Sequence, residues 1–220
     1  MIPWHFYVSY VAVLFPASAD YVAKDSYTRS FLKALDEYST IAVSVGVYFR
    51  GVDQSDPEIR RQMRKYLDDI SAMPQIGQPP EFCWVRDMYS ILESNDTVGE
   101  LVSSSLEHLG RLGDAHKDML SVLAYELRKS NSTFDEKLTT LLKIPSISDI
   151  YGEDIVLDGE GRIVASRCYT FIRHLDLKDI SEQIDMLHDQ REVTRDQPIN
   201  QLPGNERDMP FFTFDSMVCA

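Results

Sequence analysis

The chain has 220 residues, 44% hydrophobic and 26% charged, the balance of a globular protein able to build a core without metals or disulfides. Its 22 Lys and Arg against 35 Asp and Glu leave a net charge of −13. That charge argues against nucleic acid as a partner and disfavours an anionic membrane surface, since both demand clustered cations.

In chain order, the first segment is an apolar run from Ile2 to Phe15. It falls short of the ~20 residues that a transmembrane helix needs. With Ala17-Ser18-Ala19 behind it the run has the outline of a signal peptide, but without the basic amino-terminal region. Core packing is the other reading. From Ser26 a helix is expected, with Phe31, Leu32 and Leu35 on one face and Asp25 or Ser26 as its cap. Thr40 to Phe49 is β-rich and nearly all apolar, which suits a central strand. After the loop Gly51–Ser55, Asp56 offers an N-cap and Pro57 fits the first helical position. Ile59, Met63, Tyr66, Leu67, Ile70 and Met73 mark the buried face of that helix, which Pro74, Gly77, Pro79 and Pro80 end. Glu81–Val85 then reads as a short strand or as the start of a helix.

A helical insertion is expected over about 98–143, with a bend at Gly110 and Gly113. Met119, Leu120, Leu123 and Leu127 support one helix in it, and Thr133 with Glu136 makes a capping box for the next. Beyond it, Asp154–Leu157 and Arg162–Ile172 are rich in β-branched and aromatic residues, and Asp158-Gly159-Glu160-Gly161 joins them as a hairpin turn. Leu177, Ile180, Ile184 and Leu187 then recur at helical spacing through Gln190. Asp196-Gln197-Pro198 breaks that helix, Asn200–Asp208 reads as loop, and Pro210–Phe214 as a strand.

Two strand–helix–strand units emerge, Ile41–Val85 and Ile163–Phe214. Pairing them in one sheet gives an α+β, ferredoxin-like split β-α-β sandwich. Ile41–Phe49 and Val164–Ile172 should then share a sheet, with helices Asp56–Met73 and Leu177–Gln190 on one face of it. The other face is left for a second domain.

Chemistry-bearing patterns are few. His5, His108, His116, His174 and His188 have no metal-site spacing, and neither a nucleophile elbow nor a phosphate-binding loop occurs. Asp179, Glu182 and Asp185 are spaced as the solvated face of a helix. No catalytic residue, metal site or cofactor is therefore expected. Cys83, Cys168 and Cys219 are an odd set; a Cys83–Cys168 bridge and buried free thiols are both open. Asn95-Asp96-Thr97 and Asn131-Ser132-Thr133 are N-glycosylation sequons in segments read as loops.

Several stretches resemble the second exoplasmic domain of the Patched family, which includes Patched, Dispatched and the Niemann-Pick type C sterol transporters within the resistance-nodulation-division superfamily. They are YGEDIVLDGEGRIVASR from Tyr151, LHDQREVT from Leu187, QPIN from Gln197 and FFTFD from Phe211. AKDSYTRSFLKAL at Ala23–Leu35 and FCWVRDMYSIL at Phe82–Leu92 extend the resemblance to about Lys24–Asp215.

It implies a porter-type exoplasmic domain spanning 23–220, with 1–22 as the remnant of a membrane helix or a leader. It further implies a membrane address and a share in a lipid or sterol conduit or in sterol-linked signalling. The partners would be the companion exoplasmic domain and membrane helices of a longer protein. Phe82, Trp84, Phe211 and Phe212 are the candidate wall residues, with ordinary core as the alternative for each. The transport-driving acids of that family lie in membrane helices, so none carries over to a position here. The competing expectation is a free-standing secreted α+β binding module. A hydrolase is a third, with no site to name.

Overall fold

The computed structural model describes residues 43–76, 83–93, 114–172, 179–205 and 207–215. Among these, four strands form one antiparallel sheet and six helices accompany it. The strands are β1 (Val43–Arg50), β2 (Ile155–Leu157), β3 (Ile163–Ile172) and β4 (Phe211–Asp215). The helices are α1 (Pro57–Ser71), α2 (Trp84–Leu92), α3 (Asp114–Lys129), α4 (Phe134–Leu142), α5 (Pro145–Tyr151) and α6 (Ile180–Arg195). The sheet order is β2-β3-β1-β4. Calls that fall before residue 43, including the helix from Ser26, lie outside the described residues, as do Phe82, Asn95 and Cys219.

β1 is central, as its apolar run suggests, and pairs antiparallel with β3 on one side and β4 on the other. Its pleat sends Val45, Val47 and Phe49 to one fully buried face. α1 starts where its cap chemistry directs: the Asp56 carboxylate accepts from the Glu58 amide, with Pro57 in the first turn. Met63, Tyr66, Leu67 and Ile70 then fall on the stripe that meets the sheet. Phe49 packs edge-on against Phe211 at 5.0 Å and Tyr66 at 6.3 Å, so β1, β4 and α1 share one aromatic cluster. The Tyr66 and Thr194 hydroxyls share a 2.6 Å hydrogen bond, which ties α1 to α6. Both helices thus cover the Phe49 face.

The hairpin forms as expected. Gly161 N–H donates to Asp158 O at 3.1 Å and Gly161 takes φ 82°, a conformation glycine adopts without steric cost. The Asp158 carboxylate accepts from the amides of Glu160 and Arg162, both at 2.9 Å. The Arg162 amide bond, before the other contacts, holds its pKa below the ordinary carboxylate value. The expected Thr133–Glu136 capping box is also present and starts α4.

Two expectations need correction. Of the two readings of Glu81–Val85, the helix start is the one that forms, at Trp84, so the unit Ile41–Val85 does not close as strand–helix–strand. The fourth strand is β2 from the hairpin, and Ile76 contributes only an isolated bridge to Ile172. α2 wins locally because Trp84, Val85, Met88, Ile91 and Leu92 form a helical stripe that the core buries.

The α6 stripe is also displaced. Ile184 is 48% exposed, while Met186, Gln190 and Thr194 are buried at four-residue steps. That side is favoured because Tyr66 brings a buried hydroxyl that needs a polar partner. Finally, α5 was not anticipated, although Pro145 at its first position and Ile147 with Tyr151 on one side are its signals.

The QPIN segment has a mechanical role that the sequence did not reveal. Asn200 donates from Nδ2 to Phe211 O and Thr194 O, both at 2.7 Å, and its Oδ1 accepts from Phe211 N at 3.1 Å. Its amide therefore occupies the outer edge of β4, where another strand would otherwise pair. Gln197 donates to Asp69 and to Val193 O, both at 3.0 Å. Asn200→Ala is expected to cost about 2 kcal/mol, because buried backbone groups of Phe211 lose their partner. An unchanged urea midpoint would show that water replaces the amide.

Candidate functional site: the open face of the sheet

The register fixes which side chains share the face opposite the helices. Ser44, Gly46, Tyr48 and Arg50 of β1 stand opposite Phe171, Tyr169, Arg167 and Ala165 of β3. Phe214 and Phe212 of β4 stand opposite Gly46 and Tyr48, and Val156 of β2 opposite Ala165. Five aromatic residues thus converge on one side of three adjacent strands.

Tyr48 stacks on Phe212 with ring centroids 5.1 Å apart. Gly46 makes room for this: a Cβ there would come within 2.5 Å of the Tyr48 ring. The Arg50 guanidinium lies 5.0 Å from the Phe212 ring, and that of Arg167 5.0 Å from Tyr169. Arg167 also donates to the Asp154 carboxylate at 2.7 Å. Burial, the dominant cause, pushes the Tyr169 phenol up to about 12, so it is a neutral hydroxyl at physiological pH.

Phe214 and Val156 are 52% and 53% exposed, while Tyr48, Tyr169, Phe171 and Phe212 are half-buried. None of these positions on the face is acidic, in a chain of net charge −13. The face is therefore apolar, fringed by two arginines that are each paired with an acid, Arg50 with Asp208 at 3.7 Å and Arg167 with Asp154 at 2.7 Å. Such a surface can hold an aliphatic or aromatic partner.

The four candidate wall residues separate. Phe212 lies on the open face. Trp84 and Phe211 are fully buried in the core that the helices close. Phe82 is outside the described residues. Sequence reasoning missed Tyr48, Tyr169, Phe171 and Phe214, although alternation carries the signal: β1 places Tyr48 and Phe49 on opposite sides of its pleat, and β3 carries Tyr169 and Phe171 two residues apart on the side opposite Cys168 and Thr170. Among the described residues no group of three or more His, Cys, Asp or Glu is arranged to hold a metal ion. No described helix is long and apolar enough to cross a membrane. Comparison with models of known families, with characterised proteins and with solved structures returned no match.

Proposed function

We propose that the chain is a binding domain, not a catalytic one, and that it works through the open aromatic face as the exoplasmic porter-type domain of a Patched-like membrane protein. In this reading the face meets the companion exoplasmic domain, and the two together border a path for a lipid or sterol. The carrying observation is the cluster of Tyr48, Tyr169, Phe171, Phe212 and Phe214, a contiguous apolar surface of the kind that marks interaction sites. The finer fold reading, a ferredoxin-like split β-α-β, is supported by α6, which carries the chain from β3 to β4 across the antiparallel β1.

A second reading is favoured by the burial of Trp84 and Phe211. With these two filling a closed core, the face would serve a free-standing secreted module that meets a protein surface.

The test pairs wild type with Phe212→Ser/Phe214→Ser and titrates each with a fluorescent sterol in the absence of detergent. Loss of two large apolar side chains is expected to weaken binding at least about tenfold, with an unchanged circular dichroism spectrum and a thermal midpoint lowered slightly by the lost Tyr48–Phe212 stack. Equal binding by the two proteins would overturn the sterol reading. Concentration-dependent association of wild type alone, without sterol binding, would favour the interaction module.

A further inference from the structure

We propose that Asn131 carries an N-linked glycan. Asn131-Ser132-Thr133 is a sequon with a non-proline centre, and all three residues are exposed in the segment that joins α3 to α4. Asn131 lies outside both helices, which end at Lys129 and begin at Phe134, and the backbone at Thr133 is extended, with φ −64° and ψ 163°. The Thr133 hydroxyl oxygen accepts from the Glu136 amide at 3.3 Å, which leaves its proton free to donate.

The second observation is independent of the sequon. Cys83 and Cys168 form a disulfide inside the core. Disulfides of this kind form in oxidising compartments such as the lumen of the secretory pathway, where N-linked glycans are also attached. One residue type reports where the chain matures, and the other offers the acceptor that this place uses.

The chemistry is a glycosyl transfer from a lipid-pyrophosphate-linked oligosaccharide. Asn131 Nδ2 forms a bond to the anomeric carbon of the first sugar. The sugar–phosphate bond breaks, its electron pair leaves with the lipid pyrophosphate, and the amide gives up one proton. The product projects into solvent from a helix–helix connection, so it displaces no core residue. The proposal needs neither the conduit nor the module reading, only passage through the lumen. It concerns Asn131 alone, because Asn95 lies outside the described residues.

The test uses the protein recovered from the cells that make it. Peptide N-glycosidase treatment in oxygen-18 water is expected to convert Asn131 to labelled Asp. Asn131→Gln, expressed in the same cells, should lose one step of electrophoretic mobility shift while keeping the wild-type thermal midpoint. An unmodified Asn131 peptide from protein with an intact Cys83–Cys168 bridge overturns the site. An unmodified Asn131 with both thiols free overturns the compartment as well.

Discussion

Replacing Cys83 and Cys168 together by Ala is expected to lower stability by about 4.5 kcal/mol, the closure entropy of a loop this long in the unfolded chain. The two cysteines are 85 residues apart, and the loop between them contains α2 through α5. Cys83 stands at the start of α2 and Cys168 on the buried side of β3, so the bridge fastens the start of α2 to the middle of the sheet. Alanine is the appropriate replacement, because both sites are buried and a serine hydroxyl would enter the core without an assured partner. Urea unfolding of oxidised wild type, reduced wild type and the double variant measures the effect. The last two should unfold at similar, lower urea concentrations. Coincidence of all three curves would show that the bridge contributes nothing to the fold.

Arg60→Ala should cost about 3 kcal/mol, the lower end for removing one member of a buried pair. Arg60 is only 3% exposed and its partner Glu93 26%, which places the pair at the edge of the core. The same guanidinium donates to Ser55 O at 2.5 Å and Gln54 O at 3.3 Å, and lies over the Phe134 ring at 3.7 Å. One side chain therefore joins the β1–α1 loop, the end of α2 and the start of α4. Arg60→Lys should recover only part of the loss, since an ammonium cannot serve the carboxylate, two carbonyls and the ring from one position. Arg60→Met tests packing apart from charge and should fall between Ala and wild type. An alanine variant within about 1 kcal/mol of wild type would mean that water takes over all these contacts.

Arg60 also marks where sequence reading ends. On α1 it occupies a turn whose neighbours Arg61 and Arg64 are also cationic, and nothing local distinguishes it from them. Its burial follows from α2 and α4 converging on it across more than thirty residues of chain. By contrast, the Asp56-Pro57 helix start, the Thr133–Glu136 capping box and the Asp158–Gly161 turn were legible, because their hydrogen bonds close within about four residues.

The central place of β1 was legible too, from the apolar density of residues 43–49. The fate of Trp84–Val85 was not: a strand and a helix start were both open, and the core decided by burying the helical stripe. The α6 stripe moved to Met186, Gln190 and Thr194 because a distant hydroxyl, Tyr66, asked for a polar partner there.

The open face is the clearest division of labour. Phe211 and Phe212 are adjacent and chemically identical, so sequence alone determined only that a strand of alternating sides would carry them. Pairing with β1 places Phe211 against Phe49, under the helices, and Phe212 against Tyr48, away from them. Local hydrogen bonds and hydrophobic density are written in neighbouring residues. Which side of a pleat becomes core depends on register with strands far away in the chain, and that only the tertiary structure decided.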